Sequence, residues 1–190
     1  MYDWSLLVQK FLEKNQQINL SAIRNEEWVL VKHIQDSLEL EKLIERQKGM
    51  GIVDVWTGWG FPLMPLAISH PECDFTGIDS VKKKTVAVSD ILQQLNVKNV
   101  TMIRNRIENI KDLTFDLVTA RAVAYSDTLL WWVTPLVRKW WKIALMKQFN
   151  EDEKKVIENE CKKKKLILEI EHHYQLFEWD IDRVIYILEK

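Results

Sequence analysis

The chain predicts an α/β protein: an open, mostly parallel sheet with helices on both faces, preceded by a helical segment. Three observations predict it. Apolar spacing is helical through the first 46 residues and then changes period. From residue 51 onward, short apolar runs alternate with amphipathic stretches. The first of those runs, Gly51-Ile52-Val53-Asp54-Val55, empties into a glycine-containing turn. Strands that alternate with helices pair in parallel, because each crossover returns the chain to the same end of the sheet.

The elements follow in order. Residues 2–46 read as helices, interrupted by a short break at 15–25. Trp4, Leu7, Val8, Phe11 and Leu12 share one face at amphipathic spacing. Residues 51–55 are a strand, and 62–69 a helix with Pro62 near its first turn, where helix starts tolerate proline. Further strands are expected at 74–79, 100–103, 115–119 and 142–146, and helices at 81–95, 126–137 and 151–165. A final strand pair is expected at 166–171 and 183–188. The organisation is a helical extension over 1–48 and a main unit over 49–190.

Bulk properties narrow the function. A net charge of −1 provides no global field for nucleic acid, so any RNA contact must be a local basic patch. Cys73 and Cys161 lack metal-ligand spacing, so no metal site is expected and both read as free thiols of a reducing compartment. Without a leader or an apolar run of spanning length, a soluble cytoplasmic protein with no membrane contact is expected. The run Lys162-Lys163-Lys164-Lys165 reads as a solvated helix end.

In an open parallel sheet the ligand lies beyond the carboxyl ends of the strands, where strand order reverses. The turn Trp56-Thr57-Gly58-Trp59-Gly60-Phe61 is the natural cradle, with Gly58 and Gly60 allowing close backbone approach. Asp79 ends the second strand, 19 residues after Gly60, where a carboxylate can accept from ribose hydroxyls. It can equally cap the helix that follows. A dinucleotide fingerprint fails at Leu63, which argues against a nucleotide-dependent oxidoreductase. No Lys-Ser or Lys-Thr follows the turn, so a phosphate loop is not supported.

Such a turn favours small residues, yet it carries two indoles. The pair Trp140-Trp141 repeats the oddity in Lys139-Trp140-Trp141-Lys142, read as a turn entering the strand at 142–146. Average usage predicts about 13 glycines in this length. The chain has 5, against 9 tryptophans. Trp4 and Trp132 are ordinary core candidates. At positions 56, 59, 140 and 141 tryptophan stands where glycine is expected.

Several motifs in order resemble the RsmG (GidB) family of 16S ribosomal RNA guanine-N7 methyltransferases, from about residue 8 to the end of the chain. They are Asn15-Gln16-Gln17-Ile18-Asn19-Leu20-Ser21; His33-Ile34-Gln35-Asp36-Ser37-Leu38; the turn from Asp54 through Phe61-Pro62-Leu63-Met64-Pro65-Leu66-Ala67; Asp79-Ser80 followed by Lys82-Lys83; Arg106-Ile107-Glu108; Ala120-Arg121-Ala122-Val123-Ala124; and Lys139 through Lys147. Departures are Trp56, Leu63, Trp140 and Trp141 at glycine positions, Trp59 at a small-residue position, and a shorter helical start.

The resemblance implies a class I S-adenosylmethionine-dependent methyltransferase fold, Rossmann-like, with a mostly parallel seven-stranded sheet. It implies S-adenosyl-L-methionine as cofactor, with Trp56 and Phe61 touching it, Ile107 and Glu108 beside the adenine, and Arg121 completing the site. Gly58, Gly60 and Asp79 join from the cradle and ribose arguments. The implied partner is 16S rRNA or the small ribosomal subunit, met by a monomer. Arg24, Lys32, His33, Lys82, Lys83, Lys84, Arg121 and Lys147 are candidate RNA contacts. His33 can equally be a packing residue next to Asp36. Cations at 82–84 oppose the helix dipole, which hints at function. The N7 lone pair attacks a methyl group directly, so no catalytic base is expected. The alternative reading is an RNA-binding relic of the same fold that has lost cofactor affinity.

Overall fold

The computed structural model describes residues 2–19, 21–123, 126–177 and 182–190. Leu20 and Ala124, quoted in two of the motifs, lie outside them. One seven-stranded sheet organises the chain: β1 (Gly51–Val55), β2 (Asp74–Asp79), β3 (Val100–Arg104), β4 (Phe115–Arg121), β5 (Val137–Gln148), β6 (Ile167–Tyr174) and β7 (Arg183–Glu189). Their order is β3-β2-β1-β4-β5-β7-β6. The first five strands pair in parallel, and β7 is antiparallel to both β5 and β6. The order reverses between β1 and β4, so the carboxyl ends of these two strands flank the crevice that such sheets use for ligands.

Alternation along the strands builds two apolar layers. Ile52, Leu117, Ala144 and Ile187 face one side. There they meet α1 (Ser5–Ile18), the helical path α2 over residues 26–42, α3 (Leu63–Ser69) and α4 (Lys82–Gln94) through Leu7, Phe11, Ile34, Met64 and Ile91. Val53, Val118, Ile143 and Leu188 face the other side, against Leu129 and Leu130 of α5 (Ser126–Val133) and Ile157 and Cys161 of α6 (Glu151–Lys164). Segment α2 is a continuous helical path of changing pitch: Glu26–Val29, a π-helical stretch Leu30–Gln35, Asp36–Leu38 and a 3₁₀ turn Glu39–Lys42.

Three expectations are corrected. The break after the first helix starts at residue 19, where Asn19 adopts φ 52°, and the second helical path stops at 42. Asn15, read as part of the break, is helical and fully buried; its amide donates to the carbonyls of Ser21 and Ile23 and accepts from Ser21 N–H, which pins the reversal. The helix expected to run to 137 ends at Val133, because Pro135 has no N–H to continue it. The pair Trp140-Trp141 is not a turn before a strand but lies within β5. Val137 pairs with Phe115 while Lys142 pairs with Leu117, so the intervening residues bulge out of register. Trp140 N–H donates to the Lys190 carbonyl at 2.7 Å and Lys190 N–H to the Trp141 carbonyl at 3.1 Å.

Among the described residues, no helix is long and apolar enough to cross a membrane.

Candidate active site

The site grows from the carboxyl end of β1. Thr57 N–H donates to the Ile78 carbonyl and Gly60 N–H to the Thr57 carbonyl, closing the chain into a tight loop beneath α3. Gly58 (φ 57°) and Gly60 (φ 87°) hold left-handed backbone that glycine adopts without penalty. A Cβ on Gly60 would lie 2.7 Å from Met64 Cε, so a larger residue here displaces the Met64 side chain as well as straining the backbone. Trp56 shares the left-handed conformation at φ 52°, but with an indole attached. Its ring tilts against Trp132 at 5.6 Å, while Lys84 lies 5.1 Å above the Trp59 ring.

Asp79, at the end of β2, ties the loop down. Its Oδ2 accepts Gly58 N–H at 3.0 Å and its Oδ1 accepts Val81 N–H at 2.8 Å, with Lys84 Nζ 3.7 Å away. The helix N-cap role expected of Asp79 is not filled: the cap position is Val81, with no side-chain cap, and Asp79 instead holds the Val81 N–H just outside the helix while bracing the cradle. Asp54, which sequence reasoning passed over, is wholly buried one residue before the end of β1. Its Oδ1 accepts Thr119 Oγ1 at 2.9 Å, but neither its Oδ2 nor Thr57 Oγ1 has a partner among the described residues. Burial pushes the Asp54 carboxyl up to about 6, against the opposing pull of the Thr119 hydrogen bond and the Arg121 charge. An acidic residue near the end of an apolar strand was the visible signal. Ile107 is buried below the β3 end, and Glu108 is exposed beside Arg106 at 3.6 Å.

Arg121 closes the other side, at the end of β4. Its Nη1 donates to Asp36 Oδ2 at 2.9 Å and to the Lys32 carbonyl at 3.2 Å; its Nη2 sits 3.2 Å from His33 Nδ1. The guanidinium carbon lies 5.6 Å over the Phe61 ring, which His33 stacks on at 4.6 Å. Asp36 is fully buried and also receives Tyr174 Oη at 2.6 Å and Arg183 Nη1 at 3.2 Å. Burial and the Arg121 charge hold His33 down to about 3, so the ring stays neutral and packs inside rather than presenting a charge outward. Beyond Arg121 opens a cavity of about 750 Å³ whose lining includes Lys32, Lys147, Asn150, Glu153 and Arg183. Lys82 and Lys83 are exposed at the start of α4, apart from this lining. Arg24 is exposed, but its guanidinium is engaged by Asn19 Oδ1 and the Asn15 carbonyl.

A family model described as rRNA small subunit methyltransferase G matches residues 3–177. The chain belongs to that family. Ribosomal RNA small subunit methyltransferase G of Actinobacillus pleuropneumoniae serotype 5b is 36% identical over 160 residues, covering 83% of this chain and 77% of the relative. The protein of the same name from Alteromonas mediterranea is 37% identical over 155 residues, covering 80% and 71%. Among solved structures, a SAM-dependent methyltransferase from Aquifex aeolicus superposes over 100% of both chains with TM-score 0.68 at 14% identity. TrmN from Thermus thermophilus superposes over 97% of this chain and 53% of its own with TM-score 0.67 at 15% identity. At such identities the structures establish the fold alone, a class I methyltransferase sheet.

S-adenosylmethionine is the cofactor that membership in the methyltransferase G family implies. The residues fit it. An orphaned buried carboxylate oxygen on Asp54 lies beside the cradle, and two glycines bare the backbone. Of the cofactor residues expected from sequence, Trp56, Gly58, Gly60, Phe61 and Asp79 gather at the ends of β1 and β2, and Arg121 contacts Phe61 across the β1–β4 crevice. The one feature out of keeping is the backbone of Trp56.

Proposed function

We propose that the protein transfers a methyl group from S-adenosylmethionine to N7 of a guanine in 16S rRNA, with the RNA entering through the basic cavity beside Arg121. The observation that carries the reading is the adjacency of two sites on one sheet edge. The glycine cradle sits at the β1 and β2 ends, and the cation-lined cavity at the β4 and β5 ends.

The cofactor supplies an electrophilic sulfonium methyl. Asp54 offers an acceptor to the cofactor's polar end, and Gly58 and Gly60 let the backbone lie against it. Phe61, fixed between His33 and Phe11, forms one wall. Ile107 and Glu108 flank the adenine. Lys32, Lys147 and Arg183 attract phosphates, so binding weakens as salt rises. The N7 lone pair lies in the base plane and carries no proton, so no side chain has to remove one. Catalysis is positioning and exclusion of water. The Asp36–Arg121 pair fixes the rim between the two sites. Residues 1–48 serve as a helical extension that contributes Lys32 to that rim. The protein works as a cytoplasmic monomer on the small subunit.

The test is methyl transfer from labelled S-adenosylmethionine to small subunits lacking the modification, followed by nucleoside mass spectrometry. One N7-methylguanosine per 16S rRNA is expected. Label on another base or none at all overturns the reading.

A further inference from the structure

The cavity beside Arg121 has one acidic wall. Glu153 lies in the first turn of α6, and its N–H is taken by Asn150 Oδ1 at 3.0 Å, which fixes the residue in place. All its side-chain partners converge on a single oxygen. Oε1 accepts Lys147 Nζ at 2.6 Å, Ser126 N–H at 3.2 Å and the Ser126 hydroxyl. Oε2 has no hydrogen bond among the described residues, yet Glu153 lines the cavity. A carboxylate so braced is an acceptor-only group with one oxygen left for a ligand.

We propose that Glu153 reads the acceptor base, its Oε2 accepting from the N1–H and exocyclic amine of guanine. This rests on the methyltransferase reading above. The exocyclic amine lies on the side of guanine away from N7, and N1–H on the edge between the two. A base that turns N7 toward the β1 cradle turns the amine away from it, toward the wall beyond β5 where α6 places Glu153. Adenine presents an unprotonated N1 to the same place and is repelled by the carboxylate. Burial pushes the Glu153 carboxyl up, but the hydrogen bonds from Lys147 and Ser126 outweigh it and hold the group below the usual range, keeping it an acceptor.

Guanosine 5′-monophosphate and inosine 5′-monophosphate, which lacks only the exocyclic amine, are titrated into the chain and into Glu153→Gln. The chain is expected to bind the guanosine form about tenfold more tightly. Glu153→Gln keeps an oxygen for Lys147 and Ser126, so it loses the preference while the chain stays folded, its thermal midpoint lowered by about a few degrees through the lost charge on Lys147's partner. Equal affinity for the two nucleotides, binding of neither, or a preference that survives Glu153→Gln overturns the proposal. Nucleotide binding needs no methyl transfer, so a chain that prefers guanosine but methylates no rRNA overturns the function instead.

Backbone conformation carries a second inference independently. Trp56 and Trp140 adopt φ 52° and 70°. The other positive-φ residues besides glycine are Asn19, Asn96, Lys165 and Ala122. Left-handed backbone is rare for a bulky side chain and native to glycine. One lies in the cradle loop and the other at the β5 bulge. Trp140 is also 69% exposed, so packing does not explain its indole. Together with 5 glycines against 9 tryptophans, the geometry points to glycine at 56 and 140 in the protein the cell makes. A UGA codon, read as tryptophan in some bacterial codes and as glycine in others, would produce this exchange. Peptide mass spectrometry of the protein isolated from its own cells reads the two positions directly. Glycine at both is expected; tryptophan at either one overturns the inference.

Discussion

Removing the Asp36 carboxylate tests how the helical extension is fastened to the sheet. Asp36 is fully buried and receives Arg121 at 2.9 Å, Arg183 at 3.2 Å and Tyr174 at 2.6 Å. Those partners come from β4, β7 and the end of β6, so one side chain of α2 joins three strands. Burying the ion pairs costs desolvation, and their net contribution to stability is small. Breaking them is another matter, because Asp36→Ala leaves two guanidiniums and a phenol facing a hole. Loss of one partner of a buried pair typically costs about 3–5 kcal/mol. Both arginines line the cavity and keep some access to water, which places the expected loss near the lower end, about 3 kcal/mol. Asp36→Asn retains an acceptor for Tyr174 and loses only the charge, so it falls in between. Urea unfolding followed by tryptophan fluorescence reads all three proteins. A loss below about 1 kcal/mol for Asp36→Ala would refute the argument that the pairs are shut away from solvent.

Two further perturbations follow from the same packing. His33 is held at about 3 in the fold against 6.5 when free, so the unfolded chain takes up a proton that the fold refuses as pH drops below 6.5. Its contribution is intact above pH 6.5 and declines toward pH 3, by about 2 kcal/mol at pH 5; the stability gap between the chain and His33→Phe, measured by urea unfolding at pH 7 and pH 5, should shift by that amount, and an unchanged gap contradicts it. Gly77 lies in β2 where a Cβ would meet Leu63 Cδ2 and Met102 Sδ, each at 2.6 Å. Gly77→Ala should cost about 1–3 kcal/mol through overpacking, seen as a lower denaturation midpoint; a neutral result would mean that both side chains yield freely.

The parallel core of the sheet was legible because each strand there is a short apolar run bounded by turn residues. The cradle was legible from Gly58 and Gly60, but the bracing of that loop by Asp79 was not, because Asp79 and Gly58 meet only when β2 pairs with β1. The bulge at Trp140 was not, since the extra residues of β5 are defined only by pairing with β4 and with Lys190. Asp36 and Arg121 are 85 positions apart, and nothing local in either segment announces that they meet. Arg183 and Glu153 were missed for the same reason: charged residues in a polar stretch look solvated until the fold turns them to one cavity. His33 shows the converse. Its sequence neighbourhood allows both an RNA contact and a packed ring, and only the contacts with Phe11 and Phe61 decide for the packed ring.

The central claim is that the β1 turn binds S-adenosylmethionine. Isothermal titration of the cofactor tests it most directly, using the tryptophan-bearing chain and one carrying Trp56→Gly, Trp59→Gly, Trp140→Gly and Trp141→Gly. Saturable one-to-one binding by the glycine-bearing chain is expected, with weaker or no binding by the other. Binding by neither would contradict the account and leave an RNA-binding relic of the same fold.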